Sequence, residues 1–256
     1  MLNLSELTDK VRALAIEAGD FIREERKKFH REAIEKKHAH DYVSYVDKES
    51  EKKIVTRLKE LLPEAGFIAE EGSGTLNDEQ YCWLVDPLDG TTNFIHDNAP
   101  YCVSIALRSK KELLLGVVYE ICRNECFWTY KGAPSYLNGN EIHVSAISNL
   151  DDSFIALGFP YATEEYKPMA NHLVNTLYGN VAGLRLMGAA AVELCYIAAG
   201  RFEARIEAFI GPWDIAAGTI ILQNAGGMIT DFKGGDSYSS GLQVLASNGR
   251  IHRDLL

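Results

Sequence analysis

The segment that most constrains this chain runs from Trp83 to Phe94 and reads WLVDPLDGTTNF. Its first residues are apolar and predict a short buried strand, which Pro87 is expected to end because proline has no N–H for the ladder. Two carboxylates, Asp86 and Asp89, stand three residues apart on the turn that follows. Like charges at this distance repel unless a cation lies between them, so the spacing favours a divalent metal. The alternative is an Asp-rich turn that caps a helix.

Other acids lie where predicted elements end or begin. Glu70 and Glu71 follow a brief apolar strand. Since neighbouring side chains of a strand point to opposite faces, only one of them can face the site of Asp86. Asp214 directly precedes a predicted helix, where the dipole favours a negative charge, so capping alone is an alternative role. Asp47 is expected to open the second helix as its N-cap.

Four of the acids at these element ends share one chemistry. They offer hard carboxylate oxygens without a Cys or His partner, and they are Glu70, Asp86, Asp89 and Asp214. This donor set selects magnesium or manganese over zinc. Acids that hold two cations a few ångströms apart can clamp a phosphoryl group and activate a water for attack. The acids therefore point to a phosphorylated substrate.

Other site chemistries fit the sequence less well. Cys195 begins a Cys-x5-Arg sequence typical of phosphatases that form a phosphocysteine. It lies inside an apolar run that is predicted to be helical from Gly188 to Ala199, and it is predicted to be a core residue. A phosphoaspartate enzyme requires two acids separated by one residue, whereas two residues separate Asp86 from Asp89. His38 and His40 have a spacing that suits a transition metal, but they lack a further Cys or His partner.

Composition and charge narrow the class of protein further. With 256 residues, of which 46% are hydrophobic, the chain can bury a large core. Its formal net charge of -10 argues against nucleic acid or an anionic membrane as the main partner, since both require a basic face. The five cysteines form no Cys-x-x-Cys, and no signal core or membrane-spanning apolar run is visible. We therefore expect a soluble, cytoplasmic protein.

The order of predicted elements divides the chain into two halves. Residues 1–147 read as two amphipathic helices and an antiparallel meander, and they carry most of the predicted metal ligands. Asn138 and Gly139 predict a tight hairpin turn in this half. Residues 148–256 read as alternating strands and helices, and they carry Asp214 and the substrate-side residues. The fold class expected is α/β (α+β).

Three segments resemble the signatures of the inositol monophosphatase family. They are AEEG at residues 69–72, WLVDPLDGTTNF at 83–94, and WDIAAG at 213–218 with NAGG at 224–227 after it. The resemblance covers nearly the whole chain in the right order. It implies a layered αβαβα sandwich of the inositol monophosphatase and fructose-1,6-bisphosphatase type, usually a homodimer. Such enzymes hydrolyse phosphate monoesters with magnesium and are inhibited by lithium.

Carried over position by position, the resemblance implies a set of metal ligands. Glu70, Asp86 and the Leu88 carbonyl would bind a first ion. A second ion would lie on Asp86, Asp89 and Asp214, with Asp86 bridging the two. A third, weaker ion would be held on Glu70 through waters. The cofactor implied is two to three magnesium ions, with manganese as a possible substitute.

The resemblance also implies catalytic roles. The nucleophilic water would lie between Glu70 and Thr91, and Asp47 would orient the threonine. The backbone amides of Gly90 and Thr91 would bind the phosphate, as amides at a helix start bind anions.

The implied substrate-side residues are Gly188, Ala189, Ala190, Glu207 and Asp214. At Ala189 the family often has a serine or threonine, so only backbone contacts carry over there. Glu207 would accept hydrogen bonds from inositol hydroxyls, with a solvated strand residue as the alternative. The sequence GPW at residues 211–213 resembles bacterial members of the family, whereas some animal members have a histidine at the first of these positions.

Three functions remain open from the sequence. The first is a magnesium-dependent inositol monophosphatase. The second keeps the chemistry on fructose 1,6-bisphosphate or a 3'(2'),5'-bisphosphate nucleotide. It requires a basic residue near Glu207, and the candidates are Arg185, Arg201 and Arg205. The third is a regulatory protein, since some bacterial relatives associate with the RNA-processing machinery.

Overall fold

Helices and β-sheets alternate in layers along one axis of the molecule. The structure is a computed structural model, which describes residues 2–30, 34–38, 41–74, 79–110, 112–160, 163–240 and 243–256. His40 lies outside the described residues, so the predicted pairing of His38 with His40 cannot be placed in the structure. The helices in this part of the chain are α1 (Leu4–Arg26), α2 (Tyr45–Leu61), α3 (Thr91–Ile95), α4 (Thr163–Leu177), α5 (Ala190–Ala198), α6 (Pro212–Asn224) and α7 (His252–Leu255).

The strands fall into two main sheets and one separate hairpin. The hairpin is β1 (Ile34–His38) and β2 (Asp41–Ser44). The larger sheet contains β3 (Gly66–Ala69), β4 (Tyr81–Asp89), β5 (Cys102–Ser109), β6 (Glu112–Glu120), β7 (Glu125–Tyr130), β8 (Ser135–Leu137) and β9 (Asn140–Ile142). The smaller sheet contains β10 (Phe154–Leu157), β11 (Gly183–Arg185), β12 (Ala204–Ala208), β13 (Met228–Thr230) and β14 (Gln243–Ser247).

The strand order of the larger sheet is β3-β4-β5-β6-β7-β8-β9. Only its first pair is parallel, and every later pair is antiparallel, so the predicted meander is confirmed. Asn138 and Gly139, both with positive φ, join β8 to β9, which is the tight turn that the sequence predicted. The smaller sheet has the order β11-β10-β12-β14-β13, and β14 runs antiparallel to its neighbours.

Each sheet is buried on both faces. Alternate residues of β4 face opposite sides, so Val85 packs in one cluster with α1 and α2, while Leu84 packs in another with α5 and α6. The second cluster also contains Val244 from the smaller sheet. The opposite face of that sheet carries Leu157, which packs against Leu177 of α4. The layers are thus αβαβα, and the expected fold is confirmed.

The second helix begins earlier than the sequence predicted. Ser44 is its N-cap, and α2 starts at Tyr45. Asp47 is therefore not the cap but the third residue of the helix. Its carboxylate accepts a hydrogen bond from the backbone amide of Ser44 at 2.9 Å. This arrangement is a capping box. The prediction of Asp47 as the N-cap is wrong because Ser and Asp are both good caps and Ser44 occupies that position.

The sixth helix also begins earlier than the sequence predicted. α6 begins at Pro212 rather than at Ile215, with Gly211 as its N-cap. Asp214 again occupies the third position, and its carboxylate accepts the Gly211 amide at 2.8 Å. A proline is favoured in the first helical turn because its missing N–H would have no partner there.

The prediction that Pro87 ends the fourth strand is wrong. β4 continues to Asp89, with an irregular register against β5 between Asp86 and Asp89. The neighbour on the other side, β3, pairs with β4 only as far as Val85. Pro87 therefore lies at a bulge beyond the last parallel pair, where its missing N–H leaves no ladder bond unmade.

Candidate metal centre

Three carboxylates converge where β4 ends and α6 begins. Asp86 and Asp89 lie at the carboxyl end of β4, and Asp214 lies in the first turn of α6. Each offers one oxygen, and these oxygens all lie within 4.8 Å of one another. Asp86 is 1% exposed and Asp89 is 8% exposed, so water reaches the cluster only partly. The fold brings together three of the four acids that the sequence singled out.

Glu70, the fourth acid, follows β3 directly and lies beside the cluster. Its amide donates to the carbonyl of Val85 at 3.2 Å, which holds the end of β3 next to Asp86. Burial raises the pKa of both Asp86 and Asp214, and the negative charge of Glu70 raises both further.

Burial and mutual repulsion disfavour the charged forms of all three clustered acids. Burial raises the pKa of Asp89 to about 7, with a contribution from the charge of Asp214. It raises the pKa of Asp214 to about 6, and that of Asp86 well above its ordinary value. A nearby divalent cation would reverse this effect because it favours the ionised form of every carboxylate around it.

Backbone amides fix the orientation of each carboxylate. Asp89 accepts the amides of Ala190 and Ala191, the first residues of α5, at 3.1 and 2.7 Å. Asp86 accepts the amide of Leu88 at 2.9 Å. Because a carboxylate oxygen has two lone pairs, these bonds leave acceptor capacity for a cation. The thiol of Cys102 also donates to Asp89, at 3.6 Å, but most of the bonds that orient these acids come from backbone amides.

A threonine and a buried acid form a second feature beside the cluster. The hydroxyl of Thr91 lies 2.8 Å from Oδ1 of Asp47 and 3.1 Å from the carbonyl oxygen of Leu88. The other oxygen of Asp47 accepts both the amide and the hydroxyl of Ser44, at 2.9 and 2.6 Å. Asp47 is fully buried, and its place in the capping box therefore leaves one oxygen for Thr91. The helix start and the site share this one side chain.

The residues present fit a hard divalent cation. Among the described residues, no lysine or arginine forms an ion pair with Asp86, Asp89 or Asp214. Buried acids without such a partner are unfavourable unless they are protonated or bind a metal. A donor set made of carboxylate oxygens is the one that magnesium and manganese prefer.

The turn after the acids lies against the segment that leads into α5. Gly90 has φ 90°, and a Cβ atom there would lie 2.9 Å from the carbonyl oxygen of Pro100 and 3.2 Å from that of Gly188. Asn93 donates to the carbonyls of Pro100 and Met187, both at 2.7 Å. Only glycine fits this close approach. Two distant segments of the chain therefore meet beside the metal centre.

The predicted substrate-side residues of this segment are placed mainly by their backbone. Gly188 has φ 78°, so α5 begins at Ala190 and not at Gly188 as predicted. The side chains of Ala189 and Ala190 are buried in the core. The amide of Ala190 is bonded to Asp89 and that of Gly188 to Glu193. Gly188, Ala189 and Ala190 thus lie next to the turn at Gly90, and the methyl groups of Ala189 and Ala190 are turned away from solvent.

Glu207 belongs to a buried ionic network that sequence reasoning missed. Its side chain is 14% exposed, so the reading as a solvated strand residue is wrong. It forms an ion pair with Arg205, and Arg205 forms a second one with Glu193 of α5. A signal was present in the sequence: Glu193 is the one acid in the apolar run from Ala189 to Ala199, and a buried acid requires a partner.

Cys195 lies in the core, as predicted. It is fully buried within α5. Burial raises the pKa of its thiol well above the ordinary value, which disfavours the reactive thiolate. The structure gives no support to a phosphocysteine mechanism.

The fold and the site together define a class of protein. Residues 3–256 match the model of the inositol monophosphatase family. The chain belongs to this family, which is metal-dependent and of the phosphatase type.

Individual relatives resemble the chain over most of its length. It is 39% identical over 222 residues to the Nus factor SuhB of Pasteurella multocida (strain Pm70), with 86% of this chain and 83% of that protein covered. The structure of extragenic suppressor protein suhB from Bartonella henselae superimposes with a TM-score of 0.89 at 33% identity, covering 95% of this chain and 94% of that one. The inositol monophosphatase from Anabaena (Nostoc) sp. PCC 7120 has a TM-score of 0.86 at 32% identity, covering 99% and 95%.

Proposed function

We propose that this protein is a magnesium-dependent phosphatase that hydrolyses inositol monophosphate to inositol and phosphate. The observation that carries the proposal is the cluster of Asp86, Asp89 and Asp214, whose oxygens lie within 4.8 Å of one another. Its position beside Thr91 and Gly90 supports a phosphate ester as the substrate. The similarity to an inositol monophosphatase over nearly the whole chain supports the choice of inositol.

The proposed metal ligands are the four acids and one carbonyl predicted from the sequence, namely Glu70, Asp86, Leu88, Asp89 and Asp214. Two to three ions would be held there, magnesium by preference and manganese as a substitute. Bound magnesium would supply the positive charge that neutralises the phosphate and makes a water a better nucleophile. Inhibition by lithium, a cytoplasmic location and assembly as a homodimer are parts of the same proposal.

Thr91 and Glu70 are proposed to hold the attacking water. Because the hydroxyl of Thr91 donates its hydrogen bond to Asp47, a lone pair of the threonine oxygen is left to accept a hydrogen bond from that water and so orient it. Glu70 would take the proton that the water loses. Asp47 acts through Thr91 and is fixed in turn by Ser44.

The start of α3 is proposed to bind the phosphate. The first amides of a helix have no partner within the helix, so those at Gly90 and Thr91 are suited to donate to phosphate oxygens. Gly90 allows the close packing of this turn, since a Cβ atom there would meet the Gly188 carbonyl.

The alcohol portion of the substrate is proposed to lie toward Gly188, Ala189, Ala190, Glu207 and Asp214. Glu207 would accept hydrogen bonds from substrate hydroxyls.

The basic residues near Glu207 favour a monophosphate over a bisphosphate. Arg205 is buried and paired with two acids. Arg201 forms a bidentate pair with Glu125 at 2.6 and 2.7 Å. A second phosphate bound by Arg201 or Arg205 would have to displace one of these pairs. Arg185, the third candidate, is exposed and donates to the carbonyl of Leu184.

The test is phosphate release from inositol 1-phosphate, fructose 1,6-bisphosphate and adenosine 3',5'-bisphosphate. Each is assayed with magnesium, with a chelator and with added lithium. We expect inositol 1-phosphate to react fastest, to require magnesium and to be inhibited by lithium. Faster turnover of a bisphosphate would overturn the proposed substrate, and no turnover of any ester would overturn the enzymatic function.

A second candidate is a regulatory role, which is favoured by one observation: the relative from Pasteurella multocida carries the name Nus factor. The two roles can be separated in a strain that lacks the protein. If the physiological role is catalytic, Asp89→Asn fails to restore growth. If it is regulatory, Asp89→Asn restores growth as well as the wild type does.

A further inference from the structure

A buried arginine joins two acids on either side of it. Arg205 lies on β12 with its side chain 3% exposed. Its Nε donates to Glu193 of α5 at 2.5 Å, and its Nη2 donates to Glu207 of the same strand. Residues two apart on a strand share a face, so Arg205 and Glu207 both point toward the layer that contains α5. The network links the smaller sheet to the helix layer beside the metal centre.

Stability alone does not account for this network. One guanidinium offsets only one of the two carboxylate charges, and Nη1 of Arg205 is buried without a hydrogen-bond partner among the described residues. Buried ion pairs contribute little net stability because desolvation offsets their attraction, and an unpartnered buried donor is unfavourable. What the network does provide is a fixed position for Glu193 and Glu207.

At one end of the network, Glu193 is connected to the turn at Gly90 that follows the clustered acids. Oε1 of Glu193 accepts the amides of Met187 and Gly188, both at 3.1 Å. The carbonyl of Met187 in turn accepts the side-chain amide of Asn93, and the carbonyl of Gly188 lies against Gly90. Arg205 is therefore connected through Glu193 to the turn that is proposed to bind phosphate.

The Glu207 end is held between Arg205 and a glycine. A Cβ atom on Gly158 would lie 2.2 Å from Cδ of Glu207. The missing side chain at Gly158 thus makes the space that the carboxylate of Glu207 occupies. With Arg205 on one side and the Gly158 backbone on the other, this carboxylate has a single defined position.

We propose that Arg205 is a positioning residue that sets substrate specificity by fixing Glu207 against a hydroxyl of the substrate's alcohol portion. This inference rests on the proposed function. The substrate class it defines is a phosphate monoester of a polyol, without a second phosphate at this end. Arg205 is already engaged, and the three side chains together carry one net negative charge, which repels a further phosphate.

The experiment compares an ester that offers hydroxyls with one that does not. Steady-state kinetics of Arg205→Lys are measured with inositol 1-phosphate and with phenyl phosphate, both with magnesium. Lysine keeps the charge but lacks the fork that reaches two carboxylates. We expect KM for inositol 1-phosphate to rise about tenfold, as for loss of one hydrogen bond to a charged group. Glu193 keeps the amides of Met187 and Gly188 in this variant, so the turn proposed to bind phosphate should keep its position. Both constants for phenyl phosphate should therefore stay within about twofold of wild type.

Two further variants separate positioning from a merely structural role. Gly158→Ala leaves every charge in place but displaces Glu207, and it should give the same selective rise in KM. In a Glu207→Gln background, Arg205→Lys should have no further effect on KM, because Arg205 would act through Glu207. Arg201→Lys, which alters the pair with Glu125, is the matched control and should leave KM for both esters unchanged.

The outcomes are distinct. Equal losses on both esters, or an unchanged KM for inositol 1-phosphate in both Arg205→Lys and Gly158→Ala, would overturn the inference while leaving the phosphatase function intact. If Arg205→Lys does not fold, Gly158→Ala and Glu207→Gln decide the question by the same criterion. If the wild type hydrolyses neither ester, the proposed function fails and this inference fails with it.

Discussion

At the scale of single residues, the clustered carboxyl groups of Asp86, Asp89 and Asp214 are subject to two opposing effects when no metal is bound. Amide donors favour their charged forms, and burial disfavours them. They are fixed by backbone amides, and burial raises the pKa of each. The residue types and their order along the chain predicted this group of acids. The role of Ser44 in orienting Asp47 was not predicted, because a cap and a site residue look alike in sequence.

The first residue-scale prediction concerns Thr91. Replacing it with valine removes the hydroxyl that Asp47 accepts, which leaves a buried carboxylate oxygen with one partner fewer. We expect Thr91→Val to lower the free energy of unfolding by about 1–3 kcal/mol and to lose most phosphatase activity. Urea unfolding and phosphate release measure the two effects. Thr91→Ser keeps the hydroxyl and is the control, and an active Thr91→Val enzyme would refute the role given to this side chain.

The second residue-scale prediction concerns pH. Acids whose pKa is raised by folding stabilise the folded state at low pH, and this contribution is lost as pH rises through the folded pKa. For Asp214 and Asp89 these values are about 6 and about 7. Without metal, the wild type should therefore lose stability relative to Asp89→Asn as pH rises from about 5 to about 8.

Thermal unfolding of both proteins in chelator measures this difference. The comparison with Asp89→Asn is required because His252 acts in the opposite direction: burial lowers its pKa, so it destabilises the fold as pH falls. Both proteins share that contribution. A wild type that gains stability relative to Asp89→Asn over this pH range would show that the acids do not repel one another as described.

At the scale of elements, local sequence predicted most helices and strands but not their exact starts. Helices α2 and α6 begin earlier than predicted because their N-caps are Ser44 and Gly211. Helix α5 begins later than predicted because Gly188, with φ 78°, is not helical. The passage of β4 through Pro87 depends on where the neighbouring strand ends, which no local pattern reveals. Glu193 and Arg205 were not connected because they lie on different elements that only the tertiary fold brings together.

The element-scale prediction concerns the turn between β4 and α3. Gly90→Ala places a methyl group at positive φ and 2.9 Å from a backbone oxygen. Gly132 has a similar φ of 85°, but a Cβ atom there meets nothing within 4 Å. We expect Gly132→Ala to lower the free energy of unfolding by about 1–2 kcal/mol through backbone strain alone, with full activity. Gly90→Ala should lose more stability and should lose activity.

Urea unfolding and phosphate release are measured for both alanine variants. Equal losses of stability would show that the contacts of Gly90 with Pro100 and Gly188 do not matter. Full activity of Gly90→Ala would show that the conformation of this turn is not required for catalysis.

At the scale of the whole molecule, the layers tie the two proposed halves of the chain together. The order of strands in the smaller sheet could not be predicted, because parallel crossovers leave no local signal. No helix among the described residues has both the length and the apolar character needed to cross a bilayer. The division into residues 1–147 and 148–256 stays a prediction. One buried cluster contains Leu84 and Val118 from the first range as well as Ile215 and Val244 from the second.

This shared core leads to a prediction about unfolding. Because one cluster joins both ranges, we expect calorimetry to show a single cooperative transition rather than two. A fragment of residues 1–147 should not fold alone, since it would expose the face that α5 and α6 cover. Two separated transitions, or a folded fragment, would show that the halves are independent domains.

The central claim is that Asp86, Asp89 and Asp214 bind the metal that phosphate hydrolysis requires. The most direct measurement is phosphate release from inositol 1-phosphate as magnesium is titrated, for the wild type and for Asp89→Asn. We expect saturable magnesium dependence in the wild type and a loss of about 100-fold or more in the folded variant. The exposed acid Asp9, changed in the same way, should have no effect. Hydrolysis that is independent of magnesium, or an Asp89→Asn enzyme with wild-type activity, would contradict the claim.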